Sequence, residues 1–149
     1  MQATGNISEI LQSKPAELWC VDADATVYDA IQMMADKNIG ALLVLERGGL
    51  IGVMSERDYT RKVALRGRSS KDTCVREIVS KPLIATTRDA TVEDCMRLMT
   101  ENRVRHLPVL EGERIVGIVS IGDLVNWIIS AQSMAISQLE NYITGQYPG

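Results

Sequence analysis

The chain repeats itself at a fixed offset. A shift of 65 residues places Asp24-Ala25-Thr26-Val27 on Asp89-Ala90-Thr91-Val92 without a gap. The same shift places Asp29 on Asp94, Met34 on Met99, Leu42 on Leu107, and Val44-Leu45-Glu46 on Val109-Leu110-Glu111. It also places Gly52 on Gly117, Ser55 on Ser120 and Asp58 on Asp123. A constant period carried through helix, turn and strand positions means two copies of one supersecondary unit. Two such copies packed face to face create a two-fold-related cleft in which matched residues occupy matched places. That geometry points to paired small-ligand sites.

Each copy alone is near the size at which a single core is marginal. The halves, divided as 1–71 and 72–149, are therefore expected to share one core. A net charge of −3 and an isoelectric point near 5.2 argue against a nucleic-acid partner, which selects a basic face. Phe is absent and aromatic residues make up 4% of the chain, too few for base-stacking platforms. Cys20, Cys74 and Cys95 form no C-x-x-C pair, and with one His they make no zinc set. The odd cysteine count fits a reducing compartment. Met1 to Lys14 lacks the apolar stretch of a signal peptide, and no apolar run reaches the length of a membrane span. These features predict a soluble cytoplasmic protein without a membrane partner, and leave a mature organellar form open.

Each copy reads as strand, helix, strand, strand, helix. The first is preceded by a short helix over Ile7 to Gln12. Leu18 to Val21 reads as a strand, and Thr26-Val-Tyr-Asp29 as a capping box opening a helix with Val27, Ala30, Ile31 and Met34 on one face. Asn38 to Gly40 ends that helix. Ala41 to Leu45 and Leu50 to Met54 then form a hairpin about Arg47-Gly48-Gly49. In the second copy the strands fall at Leu83 to Thr86, Val104 to Leu110 and Ile115 to Val119, and the helix at Thr91 to Asn102. Arg57 to Lys71 is strongly basic and breaks into a loop near Gly67 and Ser69-Ser70. It reads as a solvated face or a partner surface, with a phosphate clamp as the alternative, except Arg57, which lies in the first helical turn. The apolar tail from Leu124 to Ile143 exceeds what a lone surface helix needs, and reads as partly core and partly subunit interface.

At four expected helix starts, Thr26, Ser55, Thr91 and Ser120, a Ser/Thr-x-x-Asp box stands. All four serve as helix caps, each contributing about 0.5–2 kcal/mol. Ser55 and Ser120 differ from the others because each directly follows a hydrophobic strand, in Gly-Val-Met-Ser-Glu-Arg-Asp and Gly-Ile-Val-Ser-Ile-Gly-Asp. A helix N-terminus beside a strand end presents free N–H groups and a favourable dipole to an anion. An acid one turn in, Asp58 or Asp123, can accept from both hydroxyls of a ribose, as acids do in other nucleotide folds. Capping and binding use different atoms and are compatible.

The repeated unit, with Gly-hydrophobic-x-Ser-x-x-Asp after its last strand, resembles the CBS domain, and the tandem resembles a CBS pair, or Bateman module. The resemblance runs from Ile7 through the helix after Asp123 and is carried by Ser55–Lys62, Gly67–Lys71, Asn102–Val109 and Ser120–Asp123. It implies a mixed α/β (α+β) fold of two β-α-β-β-α repeats related by a pseudo-two-fold axis, with an apolar C-terminal helix. It also implies an adenosine ligand of the AMP, ADP, ATP, NAD or S-adenosylmethionine class, and a homodimer arranged as a flat disk. Carried over by position, Asp58 and Asp123 hold ribose hydroxyls with Ser55 and Ser120 beside them. Adenine lies between Trp19, Cys20, Ile39, Gly40 and Ala41 at the Asp123 site, and between Ile84, Ala85, Val104 and Val53 at the Asp58 site. Arg105 and His106 fall at phosphate-facing positions. For His106 a core-edge histidine satisfied by a backbone carbonyl is the alternative, and for Arg105 and Arg103 solvated strand-end charges are. Lys14 and Lys81 recur in matched Ser-Lys-Pro segments, which loop geometry explains, with a phosphate contact as the alternative for either lysine.

The two sites are expected to be unequal. The first copy has Gly40-Ala41 where the second has Arg105-His106, and Glu56-Arg57 where the second has Ile121-Gly122. The reading is thus a nucleotide-sensing regulatory module signalling to a partner protein. A ligand-free oligomeric scaffold is the alternative. A nucleotide-hydrolysing enzyme fits poorly: His106 is the only neutral-pH base, with no triad, Walker loop or carboxylate cluster around it.

Overall fold

The structure is a computed structural model that describes residues 5–14, 17–80 and 82–144. Lys81 lies outside the described residues. In chain order the elements are α1 (Ile7–Gln12), β1 (Cys20–Asp22), α2 (Val27–Lys37), β2 (Ala41–Glu46), β3 (Gly49–Ser55) and α3 (Glu56–Lys62), then α4 (Val92–Asn102), β4 (His106–Glu111), β5 (Arg114–Ser120) and α5 (Ile121–Thr144). Single 3-10 turns at Ala64–Arg66 and Val75–Glu77 separate the halves. The chain is a mixed α/β protein of two like units, as the repeat requires.

In the first unit β2 is central. It runs parallel to β1, with Val21 beside Val44, and antiparallel to β3, with Leu42 beside Met54. In the second, β4 and β5 pair antiparallel with Leu107 beside Val119. Both hairpins carry a bulge at the matched place, Val44/Leu45 and Val109/Leu110. The first hairpin turns on Arg47 at φ 53° and Gly48 at φ 78°, the successive positive angles a tight hairpin requires.

The strand expected at Leu83–Thr86 does not form. Only Thr86 bridges β4, through Thr86 N–H to the Pro108 carbonyl and Leu110 N–H to the Thr86 carbonyl, both at 2.9 Å. The cause is one residue. Leu43 N–H donates to the Trp19 carbonyl at 3.1 Å in the first unit, and the matched position in the second is Pro108, which has no N–H to give.

Two cores form rather than the single shared one expected. The first collects Val27, Ala30, Met34, Leu42, Val44 and Met54, and the second Val92, Cys95, Met99, Leu107, Val109 and Val119. Each core also takes in residues from the segment that precedes the other unit. Val75, Ile78 and Val79 enter the first core, and Ile7 and Ile10 the second. Backbone bonds fasten both exchanges. Val27 N–H donates to the Thr73 carbonyl at 2.8 Å and Val75 N–H to the Ala25 carbonyl at 2.9 Å, while Ile7 N–H donates to the Ala90 carbonyl at 3.0 Å and Val92 N–H to the Gly5 carbonyl at 3.2 Å. Arg76 adds ion pairs to Asp24, at 2.6 Å, and to Glu46. The packing thus crosses a 71/72 division in both directions.

The clasp depends on two matched glycines. A Cβ at Gly52 would lie 2.6 Å from Val79 Cγ2 and 3.1 Å from the Ser80 carbonyl oxygen; one at Gly117 would lie 2.5 Å from Leu11 Cδ2. Val79 is buried and β-branched, and Ser80 contributes backbone, so neither gives way readily. The end of Leu11 can turn aside. Gly52→Ala is expected to destabilise the protein by about 1–3 kcal/mol, and Gly117→Ala by distinctly less, as read from urea unfolding midpoints.

Candidate functional site

Two cavities open along the join between the units. The first, of about 360 Å³, is lined by the ends of β3, α3, α4 and β4 and by the clasp segment around Ser80. The second, of about 610 Å³, is lined by α1, the approach to β1, the start of β2 and by β5. Gly40 and His106 belong to the walls of both.

The expected Asp58 site assembles almost as read. Asp58, Ser55, Arg57, Val53, Ile84, Val104, Arg105 and His106 all line the first cavity. Ala85 does not. The expected Asp123 site assembles in part. Trp19, Ile39, Gly40, Ala41 and Ser120 line the second cavity, whereas Cys20, Ile121, Gly122 and the Asp123 side chain itself are off its wall. Burial pushes the Cys20 thiol up from its ordinary range and away from reactivity. Ile121 packs on the second core and Gly122 is exposed. Asp123 stands behind Lys14, which occupies the wall in front of it.

Each acid is held in a closed local frame. Asp58 accepts from Ser55 N–H at 2.9 Å and Ser55 hydroxyl at 3.1 Å, and Asp58 N–H donates to Ser55 Oγ at 3.2 Å. Asp123 accepts from Ser120 N–H at 2.8 Å, and Asp123 N–H donates to Ser120 Oγ at 3.1 Å. These are reciprocal capping boxes; Thr91 and Asp94 make a third, while at Thr26 the hydroxyl accepts from Asp29 N–H. A second tier of partners comes from the clasp. Ser80 hydroxyl donates to Asp58 Oδ1 at 2.9 Å, and Lys62 Nζ reaches the same oxygen at 3.1 Å and the Ile78 carbonyl at 2.9 Å. On the other side Lys14 Nζ lies 2.6 Å from Asp123 Oδ2 and donates to the Ile118 carbonyl at 2.7 Å. The matched acids are thus neutralised by unmatched lysines.

The charges lining the cavities differ. Arg57, Arg61, Arg103 and Arg105 face the first, and none forms an ion pair among the described residues. Arg103 caps α4 at φ 54°, a left-handed backbone that a non-glycine residue adopts at a cost. In the second cavity the cations are engaged: Lys14 with Asp123, Lys37 over the Trp19 ring at 4.3 Å, and Arg88 with Glu111 at 3.5 Å. Glu56 reaches toward Gly40 at the edge of the first. Arg61 and Lys62 belong to the basic run read chiefly as a solvated or partner face, and Ser80, Lys37 and Arg88 were not singled out from the sequence. Arg61 and Lys62 fall one turn after Arg57 and Asp58, a helical spacing that could have revealed them; the others arrive through the fold. Among the described residues no group of three or more His, Cys, Asp or Glu could hold a metal ion, and no helix is long and apolar enough to cross a membrane.

A tandem of α/β units, clasped by exchanged segments with a cavity on either side of the join, defines a two-unit binding module in architecture. The CBS domain family description matches residues 7–65 and 75–130, and the chain belongs to that family. It is 41% identical over 151 residues to the mitochondrial CBS domain-containing protein CBSX3 of Arabidopsis thaliana, covering 95% of this chain and 73% of that one. The solved structure of a protein with CBS domains from Burkholderia ambifaria is 45% identical, with a TM-score of 0.82 over 86% of this chain and 96% of that one. A hexameric CBS-CP12 protein from bloom-forming cyanobacteria is 30% identical, with a TM-score of 0.74 over 82% of this chain and 67% of that one. Proteins built on such pairs are commonly regulatory modules for adenosine ligands.

His106, half-buried between the cavities, has its pKa held below the ordinary 6.5, first by burial and then by Lys14 and Arg105, with Asp123 and Asp58 opposing. The unfolded chain therefore takes up this proton first as pH falls. The contribution of His106 to stability is full above 6.5 and is lost as pH drops below that value toward the folded pKa. Urea unfolding between about pH 7.5 and 5.5 should show stability falling with acid, and a shallower fall in His106→Gln.

Proposed function

We propose that the chain is an adenosine-nucleotide sensor: a ligand of the AMP, ADP, ATP or NAD class enters the inter-unit cavities, and a homodimer of the chain passes the bound state to an effector protein in the cytoplasm. One observation carries this reading. At matched places beside both cavities a carboxylate stands one turn into a helix that starts directly at a strand end, and in the first cavity arginines without ion-pair partners lie across the space. Asp58 and Asp123 accept the ribose hydroxyls; Lys62, Ser80 and Lys14 yield those oxygens to the sugar. Adenine lies against Val53, Ile84 and Val104 in one cavity and against Ile39 and Ala41 in the other.

The cavities take different ligands. Four arginines without carboxylate partners make the first the place for linked phosphates, since each can form a charge-assisted, bidentate contact. Cations already engaged make the second favour a ligand with less negative charge.

Calorimetric and thermal-shift titration with adenosine, AMP, ATP and NAD tests this. Ligand at 100 times its dissociation constant stabilises the fold by about 2.7 kcal/mol. Asp58→Ala is expected to remove one binding step and Asp123→Ala the other. Arg105→Ala is expected to weaken ATP about tenfold or more while leaving adenosine unchanged, in line with loss of one charged hydrogen-bonding group. No stabilisation by any of the four compounds would overturn the sensor reading, and identical affinities in both cavities would overturn the division between them.

A further inference from the structure

We propose that α5 forms a parallel two-stranded coiled coil with the α5 helix of a second copy of this chain. The inference rests on the homodimer reading and supplies its geometry. One face of α5 is used internally: Leu124 is fully buried, and Trp127 and Ile128 pack on the second core. A different face carries Val125, Ile129, Gln132, Ile136, Leu139 and Ile143, at intervals of four, three, four, three and four residues. That is an unbroken heptad seam over three heptads. Its apolar members are all exposed, at 40% for Val125, 54% for Ile129, 57% for Ile136, 60% for Leu139 and 72% for Ile143. The seam runs for about 27 Å at the rise of an α-helix. The family match ends at residue 130, so much of the strip lies past the repeat that could have covered it. An amphipathic helix in that position is marginal in water on its own propensity, and a contiguous apolar strip on a protein surface marks an interface.

The composition of the seam selects the occupant. Ile129, Ile136 and Ile143 fill every a position, while Val125 and Leu139 fill d. Isoleucine at every a position, with leucine at one of the three d positions, favours two strands. Gln132, the one polar member, fixes the direction. In a parallel pair it meets its own copy, and the two amides satisfy each other. In an antiparallel pair centred on the seam it meets Ile136, and its amide is buried against methyl groups without a partner. Charge does not recruit a different partner, because the only charged residues in the helix are Asp123 and Glu140. A seam that is its own complement is the isologous surface a two-fold dimer requires.

Sedimentation velocity on the full chain is expected to show a dimer. Ile129→Glu with Ile136→Glu should weaken dimerisation at least 100-fold, with helical content and the urea midpoint of the two units retained because both positions are exposed. Gln132→Cys should cross-link between copies on mild oxidation above the background of wild-type Cys20, Cys74 and Cys95. A monomeric wild type would overturn this inference and the homodimer reading together. A dimer that survives the double substitution would overturn the seam and leave the homodimer standing. Cross-linking of Gln132→Cys with Ile136→Cys in mixed dimers, but not of Gln132→Cys with itself, would overturn the parallel arrangement.

Discussion

The structure depends on a reciprocal exchange of short segments. Residues 5–14 seat on the second unit and residues 73–80 on the first, and each delivers apolar side chains to a core it does not belong to in sequence. Neither unit is large enough to do without this contribution. The clasp also carries the chemistry of the join. Lys14 reaches Asp123 from one segment and Ser80 reaches Asp58 from the other. Remove either segment and an acid beside a cavity loses a hydrogen-bonding partner at the same moment that a core loses volume.

Symmetry in the backbone is combined with asymmetry in the side chains. The boxes at Ser55 and Ser120, the hairpin bulges and the left-handed helix ends at Asn38 and Arg103 all recur at the repeat spacing. The charges do not. Lys62 sits one turn beyond Asp58 on α3, and the matched position on α5 is Trp127, which packs on the second core instead. Asp123 must then draw its cation from Lys14, over a hundred residues away in sequence. With Lys14, Lys37 and Arg88 engaged, the second cavity has little free positive charge, while the first keeps its arginines. Duplication thus supplies two equal frames, and local substitutions make them chemically different.

The repeat made most of this legible in the sequence. Strand, helix and hairpin positions followed from periodicity and turn chemistry, Asp58 with Ser55 followed from the strand-to-helix junction, and the residues around them followed from the resemblance to the CBS domain. What escaped has definite causes. Pro108 deletes a single ladder bond and with it the strand expected at Leu83–Thr86, an effect that depends on which residue it faces rather than on local propensity. The two separate cores escaped because a sequence reads outward from each residue, whereas Ile7 and Val79 are buried by partners far along the chain. Asp123 was assigned correctly to the cap but not to its place behind Lys14, because the position of that lysine is set by the clasp.

The bonds that fasten the clasp are the same bonds that occupy the acids. Lys62 holds the Ile78 carbonyl and Asp58 together, Ser80 donates to Asp58, and Lys14 joins Asp123 to the Ile118 carbonyl. A diol that takes over the carboxylate oxygens must displace these donors, and the displaced lysines then lose half of what fixes them against the exchanged segments. If a ribose binds as proposed, its entry is in this way coupled to how the two units grip each other, without any separate relay. The sign of the response is set by whether the incoming ligand gives back, through its own phosphates, the contacts that Lys14 and Lys62 give up. A ligand contacting both acids and lysines tightens the join, and one contacting the acids alone loosens it, because only a difference in affinity between the two arrangements can shift their balance.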